Sequence, residues 1–396
     1  MQMVSDIKAF IGVKGAGYLL AAIVLYGVGT GILAPMNAIY MSEHLHLVKR
    51  EIVSIFAISL LLNIVVTLSV GIVSDKMQGK KALPLAAAAV CITGLCVYMN
   101  AADYAGALLG MALATAPSGL IMGQIFAMAR SHFTQRASAI VEVALLWLRT
   151  GFSVGFFAGL LLGAMLYVVT GFHGVLWGNL MGYMALFLLL LMYTEIKGAA
   201  IGSAARHGEP FSLPMLIALL MLSCADAIRG LYLPLVFNEL FGKPHLMSYL
   251  WSCQAVFELL FMTLAGYWAI RYGSKQVILL GGVCALVAYI VYALAAPLAL
   301  FFAVQPIYSL SVSILYGVAM GYVQRMFIHR TGFGSSLYVF ISQTAALVGY
   351  LLPAMIEGMS PHIFIIPIIL VFSALLIIAR RLHVERRLSQ NNEIEG

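Results

Sequence analysis

The sequence has few charged side chains, since Asp, Glu, Lys and Arg together make up 9% of its 396 residues. Soluble globular domains carry about 25% charged residues, so a soluble enzyme, a nucleic-acid-binding protein and a disordered scaffold are excluded. Apolar residues instead make up 63%, against roughly 45–50% in soluble domains. The net charge of +7 comes from Lys and Arg near the ends of apolar runs. The composition is that of an integral membrane protein.

Cysteine is also scarce, and the chain has neither a zinc-protease motif nor a nucleotide-binding motif. The five cysteines all fall inside apolar runs, and an odd number in such segments argues against a disulfide framework and a zinc site. No HExxH or Walker sequence occurs, and the nine histidines are scattered. We therefore predict that the protein is not an enzyme and uses no metal or cofactor.

Long apolar runs recur along the whole chain. A transmembrane helix needs about 20 mostly apolar residues, and twelve segments meet this condition. Their approximate bounds are 16–41, 50–74, 82–99, 104–129, 138–169, 174–195, 213–241, 247–270, 276–296, 298–326, 334–357 and 361–380.

The clearest polar interruption divides these twelve runs into two sets of six. We predict an all-α integral membrane protein with twelve transmembrane helices in two pseudo-symmetric six-helix bundles. The predicted bundles are residues 1–196 and 213–396, joined by a cytoplasmic linker at 197–212, and the second ends in a short cytoplasmic tail.

The distribution of positive charge predicts the orientation. If the connections alternate between the two sides, 17 of the 22 Lys and Arg residues fall on the side of the N-terminus and three on the other. Cytoplasmic loops carry the excess of Lys and Arg. Both termini are therefore predicted to lie in the cytoplasm, in a multi-pass protein of a bacterial cytoplasmic membrane.

The connection after the second run has a distinctive pattern, with Gly71, Asp75, Lys76, Gly79 and Lys80 in order. A Gly permits close helix approach, an Asp at a helix end can pair with a cation, and lysines anchor at an anionic leaflet. This pattern resembles the signature loop of the major facilitator superfamily. The resemblance implies two related six-helix bundles and a gating role for the loop.

A related pattern recurs six runs later. Gly266 is followed by the basic residues Arg271 and Lys275, at the same distances from the glycine as in the first loop. Recurrence in each half is typical of duplicated transporter bundles. The two loops together favour the superfamily architecture and say nothing about substrate.

Three stretches resemble the bacterial sugar efflux transporters, a branch of proton-coupled exporters: residues 123–130, 148–153 and 257–273. By this resemblance Arg149 and Glu258 fall on charged positions of the family. The family has an acidic residue in the seventh run near Leu231. This chain has none there and places Asp226 and Arg229 about a turn earlier.

Few charged residues lie inside the predicted spans. Each costs about 2.5–3.5 kcal/mol on insertion scales and usually faces the bundle interior or a wet cavity. The candidates for a site are Glu142 and Arg149 in the fifth span, Asp226 and Arg229 in the seventh, and Glu258 in the eighth. Glu357 lies at the outer end of the eleventh span, where snorkelling is enough to explain it. Asp226 and Arg229 are close enough to pair. We expect a polar cavity in which Arg149 faces the charges of the second half; the alternative is a set of structural ion pairs.

Glu258 is the predicted carrier of a coupling proton, because a carboxyl group in a low-dielectric cavity can exchange protons between about pH 5 and 8. Arg149 stays protonated and would bind an anionic or hydroxyl-rich substrate, or pair with Glu258. The neutral polar candidates for the same cavity are Asn37, Gln124, Gln254, Gln305, Tyr308, Tyr316 and Gln343.

The fifth span also carries glycines at every fourth position, namely Gly151, Gly155, Gly159 and Gly163. Glycines at this spacing lie on one face of a helix and let a neighbouring helix approach closely. We therefore predict a tightly packed helix pair involving this span.

The function predicted from these observations is secondary active transport. The first hypothesis is a proton-coupled exporter working by alternating access. The second is a proton-coupled uptake symporter, and the third is a membrane-embedded enzyme or other non-transport protein. A sugar, a drug or an opine-type metallophore each fits as substrate. The predicted partners are that small molecule, protons and the lipid bilayer, with no nucleic acid, and the family resemblance implies a monomer.

Overall fold

The structure is a computed structural model that describes residue 10 and residues 12–76, 79, 81–195, 209–327, 331–356 and 358–395. Within these residues the regular structure is entirely helical. The prediction of an all-α membrane protein is confirmed.

Eleven helices of the described chain are long and apolar enough to cross a membrane. One of them, Val141–Met192, has 52 residues and a non-helical backbone at Gly171 (φ 68°, ψ −158°), which divides it into two spans. With this division, the described part of the chain contains twelve spans, the number that the sequence predicts. Numbered α1 to α12, they are Ala16–Glu43, Lys49–Lys76, Ala82–Met99, Tyr104–Arg136, 141–170, 172–192, Leu213–Phe241, Pro244–Tyr272, Ser274–Ala293, Leu298–Met326, Thr331–Leu351 and Ile365–Glu395.

Three spans are interrupted next to a proline. The breaks lie around Pro35 in α1, at Pro117 in α4 and just before Pro306 in α10. Proline lacks the backbone N–H that an α-helix interior requires. A further irregularity in α10 is a π-helical segment at Ile314–Ala319.

The chain divides into two compact units. Unit 1 comprises Met1–Gly202 and Lys243–Ser252, and unit 2 comprises Ser203–Gly242 and Cys253–Gly396. The predicted bundle boundaries at 196 and 213 remain a prediction, and residues 197–208 of the predicted linker lie outside the described residues.

In unit 1, α1 packs lengthwise against α5 and α6 through glycines. A Cβ added at Gly155, Gly159 or Gly163 of α5 would come within 3.0 Å of a backbone carbonyl oxygen of α1, and one at Gly27 or Gly31 of α1 would meet α5 in the same way. The predicted glycine stripe is therefore a backbone-to-backbone seam. Residues 151–155 also have the GxSxG spacing of a hydrolase, but they lie mid-helix, whereas that motif requires a strand-to-helix turn.

In unit 2, α7 packs against α11 and α12, and α9 packs against α10 and α12. α7 is largely enclosed, and Ala225, Ile228 and Tyr232 are fully buried on either side of Arg229. This packing buries Arg229 in the interior of unit 2, whereas Asp226, one turn earlier, is half-buried.

Candidate functional site

Unit 2 contains a polar cluster built by four consecutive spans. The structure brings together two carboxylates, one guanidinium, two side-chain amides and four phenols. The members are Asp226 and Arg229 from α7, Gln254 and Glu258 from α8, Tyr289 and Tyr292 from α9, and Gln305, Tyr308 and Tyr316 from α10.

Arg229 lies at the centre of the polar cluster and is 3% exposed. Its Nη2 donates to Oε1 of Gln254 at 2.6 Å and to Oε1 of Gln305 at 3.1 Å. Its Cζ lies 3.9 Å from the centre of the Tyr308 ring. The buried cation is therefore held by two neutral oxygens and an aromatic face, an arrangement that stabilises a guanidinium group away from water.

Gln305 is oriented by contacts of its own. The residue has no exposed surface, and its Nε2 donates to the Tyr292 hydroxyl at 2.9 Å and to the Phe301 carbonyl at 2.7 Å. With both amide hydrogens used, its carbonyl oxygen faces Arg229. The proline-associated break before Gln305 thus begins the helix segment that carries this acceptor.

Asp226 is half-buried and accepts hydrogen bonds from two tyrosines of α10. The Tyr308 hydroxyl donates to Oδ1, and the Tyr316 hydroxyl donates to Oδ2 at 2.7 Å. No ion pair within 4.0 Å joins Asp226 to Arg229 among the described side chains. The expected direct pairing is replaced by an indirect one, because Tyr308 binds Asp226 through its hydroxyl and Arg229 through its ring.

Glu258 is linked to the same cation in a similar way. It is half-buried on α8, and its carboxyl group interacts with the side chain of Gln254 one turn earlier, whose oxygen accepts from Arg229. Ser309 and Ser313 of α10 donate to the backbone carbonyls of Gln254 and Glu258 at 2.9 and 3.2 Å. Each carboxylate is therefore joined to Arg229 through one neutral side chain.

The π-helical segment of α10 shapes the edge of the polar cluster. Its Leu315 carbonyl accepts a hydrogen bond from the Tyr338 hydroxyl of α11, while the neighbouring Tyr316 is 47% exposed and binds Asp226. Short π-helical insertions widen one helical turn and frequently occur at functional sites. The segment is thus held at a backbone carbonyl on one side and at Asp226 on the other.

Other predicted site residues lie outside the polar cluster. Asn37 is buried in unit 1, where Tyr98 donates to its Oδ1 at 2.8 Å and its Nδ2 contacts the Met111 sulfur at 3.5 Å. Gln124 is buried on α4. Gln343 is half-buried on α11 and makes no hydrogen bond within the part of the chain that the structure describes.

The charged candidates of the fifth span lie in unit 1. Arg149 is exposed and has no hydrogen-bonding or ion-pair partner among the described residues. The side chain of Glu142 lies outside the described residues. The predicted approach of Arg149 to the charges of the second half therefore stays a prediction.

The first signature loop is described only in part. Gly71, Asp75 and Lys76 belong to the last turns of α2, but their side chains lie outside the described residues, as does Lys80 altogether; Gly79 lies in the connection to α3. The gating role of this loop stays a prediction.

The second pattern spans the junction of α8 and α9: Gly266 and Arg271 lie in the last turns of α8, and Lys275 lies at the start of α9. Gly266 has no atom within 4 Å of its Cβ position, and Arg271 is exposed with its Cζ 5.3 Å from the centre of the Tyr272 ring. Lys275 at the start of α9 pairs with Glu385 of α12 at 2.7 Å. One basic residue of this loop therefore ties two spans of unit 2 together.

Four further residues of the site and its surroundings were not predicted from the sequence, namely Tyr289, Tyr292, Ser309 and Tyr338. A single hydroxyl in an apolar helix commonly makes only a local hydrogen bond, so these residues gave no separate signal. The spacing of Tyr289 and Tyr292 placed both on one helix face, and this was the only available indication.

Comparison with solved structures shows the same fold in several transporters. The chain matches the nucleoside transporter NupG (TM-score 0.75, 14% identity, 92% of this chain and 98% of the other). It also matches a POT family transporter in complex with thioalcohol conjugated peptide (0.75, 13%, 94% and 96%). A third match is a bacterial homologue of the iron transporter ferroportin in an inward-facing state (0.70, 14%, 92% and 97%).

Sequence comparison agrees with this fold. Sugar efflux transporter A of Dickeya chrysanthemi is 23% identical over 358 residues, which cover 86% of this chain and 87% of that protein. The family profile of the Major Facilitator Superfamily matches residues 19–349. Together with the twelve spans and the charged cluster inside them, this match shows that the chain belongs to the Major Facilitator Superfamily and is a membrane transporter, not an enzyme.

Proposed function

We propose that the protein exports a small polar molecule from the cytoplasm and couples this export to proton influx. The observation that carries the proposal is the set of three charged residues, Asp226, Arg229 and Glu258, inside the membrane-spanning part of unit 2. Charges at this depth are costly and typically mark substrate or proton pathways. Their connection through Gln254 and Tyr308 gives a network whose charge balance changes when one carboxyl group takes up a proton.

Glu258 is the proposed proton carrier, with Asp226 second. Protonation of Glu258 removes the negative charge that is linked to Arg229 through Gln254, so the guanidinium loses one of its two indirect counterions. Each pH unit of gradient supplies about 1.4 kcal/mol, and each 100 mV about 2.3 kcal/mol per charge. At one pH unit and 100 mV together, one proton per cycle supplies about 3.7 kcal/mol, which is enough for accumulation of a few hundredfold.

Alternating access provides the proposed mechanism. The bundles 1–196 and 213–396 would rock around a substrate site near the middle of the membrane, as inverted-repeat transporters do. We place Arg149 of the first bundle opposite the polar cluster, and the loops at Asp75 and Arg271 at the cytoplasmic gate. The proposed setting is a bacterial cytoplasmic membrane, with both termini in the cytoplasm and the chain as a monomer.

Export is favoured over uptake by the similarity to a sugar efflux transporter. Uptake by proton symport is the second candidate, since the same charged network would serve either direction. Export and uptake can be distinguished by the direction of the imposed pH gradient that drives accumulation.

The test uses inverted membrane vesicles that contain the full-length protein, and vesicles without it as control. A panel of sugars, dyes and opine-type chelators is offered with an inside-acid pH gradient, and again after a protonophore has removed the gradient. We expect accumulation of one compound class that needs both the protein and the gradient. Accumulation that is unchanged by the protonophore contradicts proton coupling, and accumulation only in right-side-out vesicles with an outside-acid gradient favours uptake.

A further inference from the structure

The charged groups of the polar cluster differ in how accessible they are to a ligand. Arg229 is 3% exposed, its Nη2 is used by Gln254 and Gln305, and the Tyr308 ring covers its face. A solute would have to displace two amides and a ring to reach it. The positive charge is therefore enclosed by the cluster and positions its neighbouring side chains, and it is not accessible to a ligand.

The carboxylates lie nearer to the surface of unit 2. Asp226 and Glu258 are half-buried, and Tyr316, which donates to Asp226, is 47% exposed. A narrow cavity between α7, α9 and α10 also reaches Asp226, with Ser311 and Tyr289 in its wall. Both carboxyl groups are thus more accessible than the cation that balances them.

Free acceptor capacity remains on these carboxylates. An ionised carboxylate offers about four lone-pair positions, and among the residues that the structure describes Asp226 accepts only from Tyr308 and Tyr316. With two negative charges near the surface and one positive charge enclosed, the ligand-facing side of unit 2 is negative and rich in acceptors. Such a surface binds hydrogen-bond donors with positive charge and repels anions.

We propose that the transported molecule carries a protonated amine, which binds against Asp226 and Glu258, and that Arg229 is a positioning residue for these two carboxylates. This inference rests on the proposed transport function and narrows its substrate class. A hydroxylated organic ammonium ion matches the accessible acceptors and the exposed Tyr316 hydroxyl. A neutral sugar lacks the charge, and an anionic chelator has the wrong sign.

The test compares three probes that share one ring and differ in charge: glucose, glucosamine and glucuronate. Binding to the purified full-length protein is measured by titration calorimetry in detergent at pH 7, without a membrane or a gradient. We expect glucosamine to bind at least tenfold more tightly than glucose, and glucuronate to bind most weakly. Tighter binding of glucuronate, equal binding of glucose and glucosamine, or no binding of glucosamine overturns the proposal.

Variants assign the preference to the polar cluster. Asp226→Asn keeps an acceptor oxygen for one of the two tyrosines and presents an NH2 donor to the other, while it removes the charge. Glu258→Gln removes the second charge in an independent variant. Each is expected to reduce the preference for glucosamine over glucose at least threefold. Glu239→Gln, at an exposed position near the end of α7, is the matched control and should keep it. If both cluster variants keep the wild-type preference for glucosamine over glucose, the polar cluster is not the amine-binding site.

Failure of this proposal is distinguishable from failure of the proposed function. Gradient-driven accumulation of a neutral or anionic compound in vesicles, with no amine preference in detergent, would leave proton-coupled export intact and refute only the amine. Amine binding without gradient-driven accumulation would support the amine site and refute the coupling.

Discussion

The two units hold their helices together by different means. In unit 1, α1 and α5 meet through glycines such as Gly27 and Gly159, where carbonyl oxygens occupy the space that a Cβ would need. In unit 2, α7, α8 and α10 are joined by side chains around Arg229. The first contact depends on the absence of side chains, and the second depends on specific polar ones.

The difference indicates how each of these two contacts responds to a proton. In unit 1 two buried amides have neutral partners: Asn37 accepts from Tyr98, and Asn179 donates to the Gly29 carbonyl at 2.6 Å. Protonation changes none of these groups near neutral pH. In unit 2 two carboxylates share one enclosed guanidinium, so uptake of a proton alters the balance of the whole cluster. The glycine seam is therefore a steric device and the polar cluster an electrostatic one.

Replacing the central cation, Arg229, should reduce the free energy of unfolding more than a change in the glycine seam or at a peripheral hydroxyl. Arg229→Leu removes the guanidinium group that donates to the side-chain oxygens of Gln254 and Gln305. It also leaves both carboxylates without the positive charge that balances them. Breaking a buried charge network costs about 3–5 kcal/mol, and we expect a loss of that order in SDS-driven unfolding in mixed micelles. Arg149→Leu in unit 1, where the arginine is exposed and unpartnered among the described residues, should change stability by no more than about 0.5 kcal/mol. Equal losses for the two variants would refute the central role of Arg229.

Adding one methyl group to the glycine seam should have an intermediate effect. Gly159→Ala places a Cβ against the Val28 carbonyl of α1, and overpacking of this kind costs about 1–3 kcal/mol. Gly230→Ala in α7 meets no atom within 4 Å and gains helix propensity of up to about 1 kcal/mol. In the same unfolding measurement, the free energy of unfolding should therefore fall for Gly159→Ala and rise for Gly230→Ala. A stabilised Gly159→Ala would show that the seam is looser than described.

Removing one peripheral hydroxyl should have the smallest effect. Tyr316→Phe deletes a hydrogen bond to Asp226, worth about 0.5–1.5 kcal/mol or less at this exposed position. Tyr267→Phe on α8, at an exposed residue with no partner among those described, is the matched control and should be neutral. A loss for Tyr316→Phe as large as that for Arg229→Leu would place the centre of the cluster at Asp226 instead.

The spans could be predicted from the sequence because the thickness of the bilayer sets their length. The bounds 82–99 and 213–241 agree residue for residue with Ala82–Met99 and Leu213–Phe241. The glycine stripe was equally readable, since only glycine lets two backbones meet. Local spacing was sufficient for these features.

The side-chain contacts within the polar cluster could not be predicted from local spacing. The i,i+3 spacing of Asp226 and Arg229 suggested a direct pair, but the residue that separates them, Tyr308, lies 82 positions further along the chain. Gln305 likewise reaches Arg229 across 76 positions. Which neutral side chain enters between two charges depends on how α7 packs against α10, and local periodicity carries no information about that packing.

Coupling in the Glu258→Gln variant tests the central claim most directly. Gradient-driven accumulation and gradient-free substrate exchange are measured in the same vesicles for wild type, Glu258→Gln and the matched control Glu239→Gln. The account predicts that Glu258→Gln keeps exchange but loses accumulation driven by the pH gradient, while Glu239→Gln keeps both. Gradient-driven accumulation at the wild-type level in Glu258→Gln would contradict the claim that the polar cluster of unit 2 carries the coupling proton on this residue.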